Sequence, residues 1–318
     1  MDPALTAPDR PRLAMEEFQS FSKGSDVRSV FVIVLTYGAI IALLTFVTLW
    51  PRWWFVTLAF VIVAGLQHGI SILQHEAVHF LLFRNKRLND AVGNILLSYP
   101  IGFTMHYRNI HLSHHGHLGE DNDPDLVNYE SFPNTLSFFL TIFLRNITGV
   151  SALRQSFEML GLRPPSDPHM QAAKLPRVSR WHIVGLALTQ LVIFGLFAMF
   201  SHWWLYLVLW IAPLLTLTKT FTNMRNAVEH TSIVPDPHAP FARYRTILAT
   251  PIEKFFLAPF NFNYHSEHHL YPGIPYYKLP KVHQRMAEQP SYKKYVHVIP
   301  GYMHFVRKYM VKNSAPRS

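Results

Sequence analysis

Four long apolar stretches constrain this chain before anything else. Val27–Trp50 carries no charge after Arg28, and Trp53–Leu73 follows it after only Pro51-Arg52. Trp181–Phe200 and Trp203–Thr220 form a second close pair, split by Ser201-His202. A helix needs about 20 apolar residues to cross a bilayer, and such short connectors permit only antiparallel hairpins. Trp50, Trp53, Trp54, Trp203 and Trp204 fall at the hairpin tips, where interfacial tryptophans gather. Composition agrees: 49% of the residues are hydrophobic and only 15% are charged, against roughly 25% charged in a soluble domain. The expected fold is all-α, an integral membrane protein with four transmembrane helices in two hairpins.

Lys and Arg set the expected orientation. The hairpin tips hold only Arg52, the N-terminal arm through Arg28 holds four basic residues, the loop from Arg84 to Arg180 ten, and the stretch from Lys219 onward fourteen. The positive-inside rule then assigns both termini and the central loop to the cytosol. The net charge of +10 belongs to that face and fits contact with anionic headgroups. No basic run or nucleic-acid module accompanies it, so nucleic acid is not an expected partner. Three segments are expected: a cytosolic arm over 1–26 without the apolar core of a signal peptide, a membrane catalytic domain over 27–280, and a basic cytosolic tail over 281–318. A short helix is expected around Ala14–Phe21. Interfacial segments are expected over Ala91–Met105, Phe132–Ile147 and Ile252–Phe262, a loop over Arg163–Pro176 and a turn over Pro235–Pro240.

Histidine is concentrated in three short runs: His75-Glu76-Ala77-Val78-His79, His111-Leu112-Ser113-His114-His115 and His265-Ser266-Glu267-His268-His269. Spacings of i, i+3 and i+4 share one helical face, so each run can present several rings in one direction. His75 and His79 emerge where the second span leaves the hydrocarbon. Asn226 and His230, again at i, i+4, follow the fourth span and make His230 a ninth candidate ligand. His68, His106 and His117 are expected to be structural, supporting or exposed. Cysteine is absent, which removes disulfides, thiolate ligands and cysteine nucleophiles. Any metal is therefore held by nitrogen or oxygen, and nitrogen-rich sites suit iron, copper, zinc or nickel. Zinc sites use three or four protein ligands, so this many imidazoles are about right for two metals. The acidic run Glu120–Asp125 lacks the glycine of a calcium loop and is expected to be a capping turn or a solvated loop.

One rival reading starts from the first run, which is literally HExxH, the zinc-protease signature with Glu76 as general base. It leaves the other two runs unexplained. In the alternative, Glu76 accepts the outward N–H of an imidazole ligand, as Glu229 and Glu267 could. A metal transporter is a third reading, although transporters set their ligands near the bilayer midplane rather than at its edge.

The order and spacing of these runs resemble the membrane-bound fatty acid desaturase superfamily of histidine-box di-iron enzymes. The resemblance is most specific over Asn263-Tyr264-His265-Ser266-Glu267-His268-His269-Leu270-Tyr271-Pro272, continuing through Ile274-Pro275-Tyr276-Tyr277 and Leu279-Pro280. It implies four membrane helices and a cytosolic cap. It also implies two irons on His75, His79, His111, His114, His115, His230, His265, His268 and His269, and a water on one iron held by Asn226. The first box has three residues between its histidines, where several branches have four. Its HExxH form is also similar to alkane hydroxylases, and Asp123-Pro124-Asp125 is similar to a motif of carotenoid ketolases.

The expected reaction is dioxygen-dependent attack on an unactivated C–H bond of a long acyl chain. A second hydrogen loss gives a cis alkene. Hydroxylation, carotenoid ketolation and decarboxylation of a fatty acid to a terminal alkene are the alternatives within the family. The chain has no dinucleotide fingerprint and no cysteine for an iron–sulfur cluster, so electrons are expected from a separate carrier such as a ferredoxin or a small haem protein. The basic face would steer an acidic carrier.

Overall fold

The computed structural model describes residues 10–98, 104–126, 129, 136–159, 162–164, 179–233, 241 and 243–311. A short helix α1 (Met15–Phe21) precedes the first spanning helix, α2 (Asp26–Leu49). Ser25 caps α2 by accepting the Arg28 N–H, and Asp26 sits in its first turn, where an acid suits the helix dipole. Pro51 separates it from α3 (Trp53–Val78). The second hairpin is α8 (Arg180–Phe200) and α9 (Trp203–His230). Among the described residues these four helices are long and apolar enough to cross a membrane. Trp181, Leu188, Leu191, Val192, Met199 and Phe200 stand exposed along α8, a surface that suits lipid rather than water.

The spans are not equivalent. In the apolar window of α3, 61% of residues are buried, against 6% for α8. From Gly69 to Val78 every residue of α3 is buried, so α3 is the post around which the other elements pack. Buried Gln67 on α3 is satisfied from α9: its Nε2 donates to the Trp210 carbonyl at 2.8 Å, and its Oε1 accepts from Thr218 Oγ1 at 3.1 Å. Trp210 lies in a π-helical stretch, Leu207–Ile211, and a second stretch, Leu214–Thr218, follows Pro213. Wide turns of this kind loosen the carbonyl ladder and let a side chain reach in. At the far end, Thr48 and Ser201 hydroxyls meet at 2.5 Å and join the two hairpins.

Between the hairpins lie α4 (Lys86–Ile95), α5 (Thr104–His117), α6 (Leu136–Ile147) and α7 (Val150–Met159). Part of each expected interfacial segment around α4–α6 falls at 99–103 and 131–135, outside the described residues. Most of the expected loop (165–176) and the whole expected turn (235–240) also lie outside them.

After α9 the chain forms a cap. A two-stranded parallel sheet pairs β1 (Arg245–Ile247) with β2 (His297–Ile299), with Arg245 opposite His297 and Ile247 opposite Ile299. Between the strands come α10 (Pro251–Phe256), α11 (His265–Leu270), the 3-10 turn Tyr276–Lys278, α12 (Leu279–Ala287) and α13 (Pro290–Tyr295). Helix α14 (Tyr302–Phe305) follows β2. Tyr302 and Phe305 are wholly buried in a cluster with Val228, Ile247 and Phe262. The described residues beyond 280 therefore pack into the cap.

Candidate metal centre

The carriers of the histidines are tied to one another by buried arginines. Arg108 on α5 donates to the Ala77 and Val78 carbonyls at 2.7 and 2.8 Å, at the C-terminal end of α3. Arg245 on β1 donates to the Val228 and Thr231 carbonyls at the end of α9. A cation answers both the orphan carbonyls and the negative end of the helix dipole. Each arginine thus holds a helix end next to a histidine, His79 in one case and His230 in the other. Asp90 accepts from Arg108 Nη2 at 2.6 Å, and the guanidinium lies 3.7 Å from the centre of the Phe80 ring, whose residue closes α3 at φ 58°.

All nine predicted histidines converge, and they do so in two adjoining groups. In the first, candidate ligand atoms of His75, His79, His111, His115 and His268 lie within 4.8 Å of one another. Nε2 of His111 is 2.7 Å from Nε2 of His75 and 2.9 Å from Nε2 of His115, which is 3.2 Å from Nε2 of His268. In the second, His114, His230 and His269 meet the same limit. His265 joins them, its Nε2 at 2.8 Å from Nε2 of His230 and 3.0 Å from Nε2 of His269. The groups touch where the His115 and His269 rings stack at 4.2 Å.

The single shared face expected for His111, His114 and His115 is corrected here. Each HxxHH run gives its i, i+4 pair to one group and its remaining histidine to the other: His111 and His115 part from His114, and His265 and His269 part from His268. At about 100° per residue, the last two histidines of such a run diverge by that angle. Two facing helices can therefore exchange one ring each.

These nitrogens fit metal ions. Cis ligands on a bond of about 2.1 Å stand about 3.0 Å apart, close to the spacings found. Neutral imidazoles cannot reproduce them with hydrogen bonds alone, because His111 Nε2 faces two other Nε2 atoms and each ring has one N–H. His79 Nε2 is buried with no hydrogen-bond partner among the described residues. Burial first, then the neighbouring histidines, hold His111, His115, His265, His268 and His269 well below the ordinary imidazole value, which keeps them in the neutral form that binds metals.

The surrounding contacts orient the rings. His114 Nδ1 donates to Asp123 Oδ1 at 2.9 Å, and His230 Nδ1 donates to the Arg243 carbonyl at 3.2 Å. Each bond turns the other nitrogen toward the group. Phe262, itself buried, packs its ring 4.6, 5.1 and 5.4 Å from those of His75, His265 and His268.

Sequence reasoning missed Asp123. It is wholly buried and also accepts from Gly119 N–H (3.0 Å), Asp125 N–H (2.9 Å) and the Tyr129 hydroxyl. Burial pushes its carboxyl up, but His114 and these donors hold it below the usual range. The solvated-loop expectation fails for Asp123; the Asp-Pro-Asp pattern was the available signal.

The carboxylates next to the histidines behave differently from expectation. Glu76 Oε1 is 4.0 Å from His75 Nδ1, beyond hydrogen-bond reach, while its Oε2 accepts the Tyr276 N–H at 3.2 Å. Glu267 accepts from Thr246 (2.6 Å), His283 (2.6 Å) and Tyr292 rather than from a clustered histidine. Glu229 does approach one: its Oε2 is 3.4 Å from His265 Nδ1, and its Oε1 accepts from Tyr302 at 2.6 Å. Asn226 accepts from Arg225 Nη2 at 2.6 Å. His68 bonds the Phe256 carbonyl and His117 the Ser113 carbonyl, outside both groups.

Residues 51–300 match the family model described as fatty acid desaturase. The chain belongs to the fatty acid desaturase family. Among similar proteins, dihydrorhizobitoxine desaturase of Bradyrhizobium elkanii is 27% identical over 268 residues, covering 80% of this chain and 74% of that protein. A beta-carotene ketolase of Haematococcus lacustris is 24% identical over 232 residues, 70% of this chain and 60% of the ketolase. A sphingolipid delta(4)-desaturase of Drosophila melanogaster is 25% identical over 249 residues, 74% and 67% of the two chains. The protein is accordingly a membrane oxidoreductase of the desaturase and oxidase type, from a metal-dependent family that acts on lipid or acyl substrates. The zinc-protease and transporter readings fall with that assignment. HExxH is part of a five-histidine group, and its glutamate holds a backbone N–H.

Proposed function

We propose that the protein is a di-iron desaturase of long acyl chains. The observation that supports this most is the paired convergence of nine imidazoles with no thiolate among them. One iron would be held by His75, His79, His111, His115 and His268, and the other by His114, His230, His265 and His269, with Asn226 holding a water on one of the two. When bound, the irons supply dioxygen activation and hydrogen abstraction from an unactivated C–H bond. The protein's own part is to fix the rings, keep them neutral and exclude water. Asp123 and the Arg243 carbonyl hold Nδ1 protons so that His114 and His230 turn lone pairs inward. Phe262 fills the space between rings from both groups, leaving little room there for bulk water.

In this reading the cap and both termini are cytosolic, and electrons arrive from an external ferredoxin or small haem protein drawn to the basic face. Such steering weakens with salt, so added salt should slow reduction of the enzyme; a rate independent of ionic strength would remove the steering argument. The reaction is tested by mass spectrometry of host lipids and hydrocarbons with and without the gene. New double bonds are expected. Added oxygen on a carotenoid or chain would instead identify a ketolase or hydroxylase, a result the Asp123-Pro124-Asp125 motif and the ketolase relatives would then explain. A chain shortened by one carbon would identify a decarboxylase. His268→Ala should abolish turnover and lower bound iron; full activity in that variant would overturn the assignment.

A further inference from the structure

A basic pocket away from the histidines lies where α2 enters the membrane. It has a volume of about 400 Å³ and is lined by Lys23, Ser25, Arg28, Tyr277, Lys278 and Lys281 among others. None of its four cations forms an ion pair with a carboxylate among the described residues; the nearby Asp26 is taken by Arg84 at 3.4 Å. Arg28 lies over the Tyr277 ring at 4.8 Å, and Lys278 Nζ donates to the Ser20 carbonyl at 2.8 Å. Four like charges are held together, and among the described residues no carboxylate pairs with any of them. Their mutual repulsion, after burial, lowers the affinity of Lys278 for its proton.

A second, apolar cavity of about 290 Å³ lies further along the same helix. Leu35 and Ala39 of α2 line it together with Gly65, Gly69, Phe255 and Phe260. Residues 28, 35 and 39 share one helical face, because seven and eleven residues are nearly whole numbers of turns. Arg28 and Leu35 are therefore roughly 10 Å apart along the axis. Both glycines matter: a Cβ on Gly69 would stand 3.2 Å from the Phe260 ring, and one on Gly65 2.6 Å from Phe255. The two pockets are joined by aromatic contacts, Phe260 to Tyr276 at 5.4 Å and Tyr276 to Tyr277 at 5.2 Å.

We propose that these two pockets form one site for an anionic membrane phospholipid, with its phosphate among Lys23, Arg28, Lys278 and Lys281 and an acyl chain along Leu35 and Ala39 against Gly65 and Gly69. The position decides between lipid and soluble anion. Arg28 lies in the first turns of a spanning helix, at headgroup depth, and the neighbouring Val27, Val30, Phe31 and Val34 are exposed apolar residues. The Tyr276–Lys278 turn carries both Lys278 and the N–H that Glu76 accepts, so a bound lipid braces the turn that holds Glu76, the residue after His75 in the chain.

The test is native mass spectrometry of the delipidated, metal-loaded protein offered equal amounts of phosphatidylglycerol and phosphatidylcholine. Wild type should retain phosphatidylglycerol preferentially. Lys278→Gln with Lys281→Gln should lower that retention about thirtyfold, since each cation near the surface contributes about 1 kcal/mol and about 1.4 kcal/mol is tenfold, with metal content and unfolding midpoint unchanged. Should that pair fail to fold, the exposed pair Lys23→Gln and Arg28→Gln serves the same purpose. Ala39→Trp, which fills the apolar part, should also reduce retention without altering charge. Equal retention of both lipids by wild type, or unchanged retention in the charge variants, would overturn the proposal. So would displacement by inorganic phosphate together with normal binding to Ala39→Trp, which would mean a site for a free anion.

Discussion

Replacing Asp123 with Asn is the sharpest probe of how the two histidine groups are held. Asp123 accepts from His114 Nδ1 at 2.9 Å, from two backbone N–H groups and from Tyr129. Asn has almost the same shape, so the loop has no cavity to close, but the charge is lost and one acceptor becomes an NH2 donor. His114 then loses the partner that fixes its tautomer. Removing such a carboxylate costs about 10–100-fold in metal affinity, or about 1.4–2.7 kcal/mol. The loss should be confined to the group containing His114, because among the described residues His114 is the clustered histidine that Asp123 hydrogen-bonds. Metal counted per chain across a chelator series should therefore show one ion leaving at 10–100-fold lower chelator while the other leaves as in wild type. The same variant should lose turnover, since chemistry in this reading needs both ions. Unchanged release of both ions would refute the claim that Asp123 holds His114 for metal. Simultaneous loss of both would refute the division into independently held groups.

Further outcomes follow from the supports around the site. Gly119 donates to Asp123 from a φ of +78°, and a Cβ there would run into Arg243; Gly119→Ala should lower the unfolding midpoint, the backbone contribution alone being about 1 kcal/mol, and should weaken metal retention in the His114 group. Burial pushes the Asp90 carboxyl up, but Arg108 and Asn89 pull it below its ordinary value. Its contribution is therefore complete above about pH 4 and is lost as pH falls through the depressed folded value, so thermal unfolding followed from pH 6 to pH 3 should lose more stability in wild type than in Asp90→Asn. His117 bonds only its own helix at the Ser113 carbonyl among the described contacts; His117→Ala should leave bound metal unchanged and activity within about twofold, and loss of one metal there would mean the ligand set is wrong.

Much of this was legible locally. The spans follow from runs of apolar residues, because lipid demands length and internal backbone bonding. The histidine runs follow from i, i+4 spacing, and the absence of cysteine restricts the ligand chemistry. Glu76 and Glu267 show the limit of adjacency as a guide: each sits beside a clustered histidine in sequence yet turns to other partners, because neighbours on a helix point about 100° apart. Asp123 shows the converse, a loop acid that only folding buries.

Sequence alone determined which residues are available and which of them share a turn of helix, since those properties depend on a few neighbouring positions; the single face it suggested for His111, His114 and His115 was not the one the fold uses. Tertiary structure decided which rings meet. His114 leaves His111 and His115 for His230 and His269, and His268 leaves its own run for His75, because α5 and α11, far apart in the chain, bring their rings together at the site. The arginines that fix this approach, Arg108 on the end of α3 and Arg245 on the end of α9, act through carbonyls 14 to 31 residues away in the chain. No local periodicity encodes a contact of that range; it exists only once the hairpins and the cap have packed.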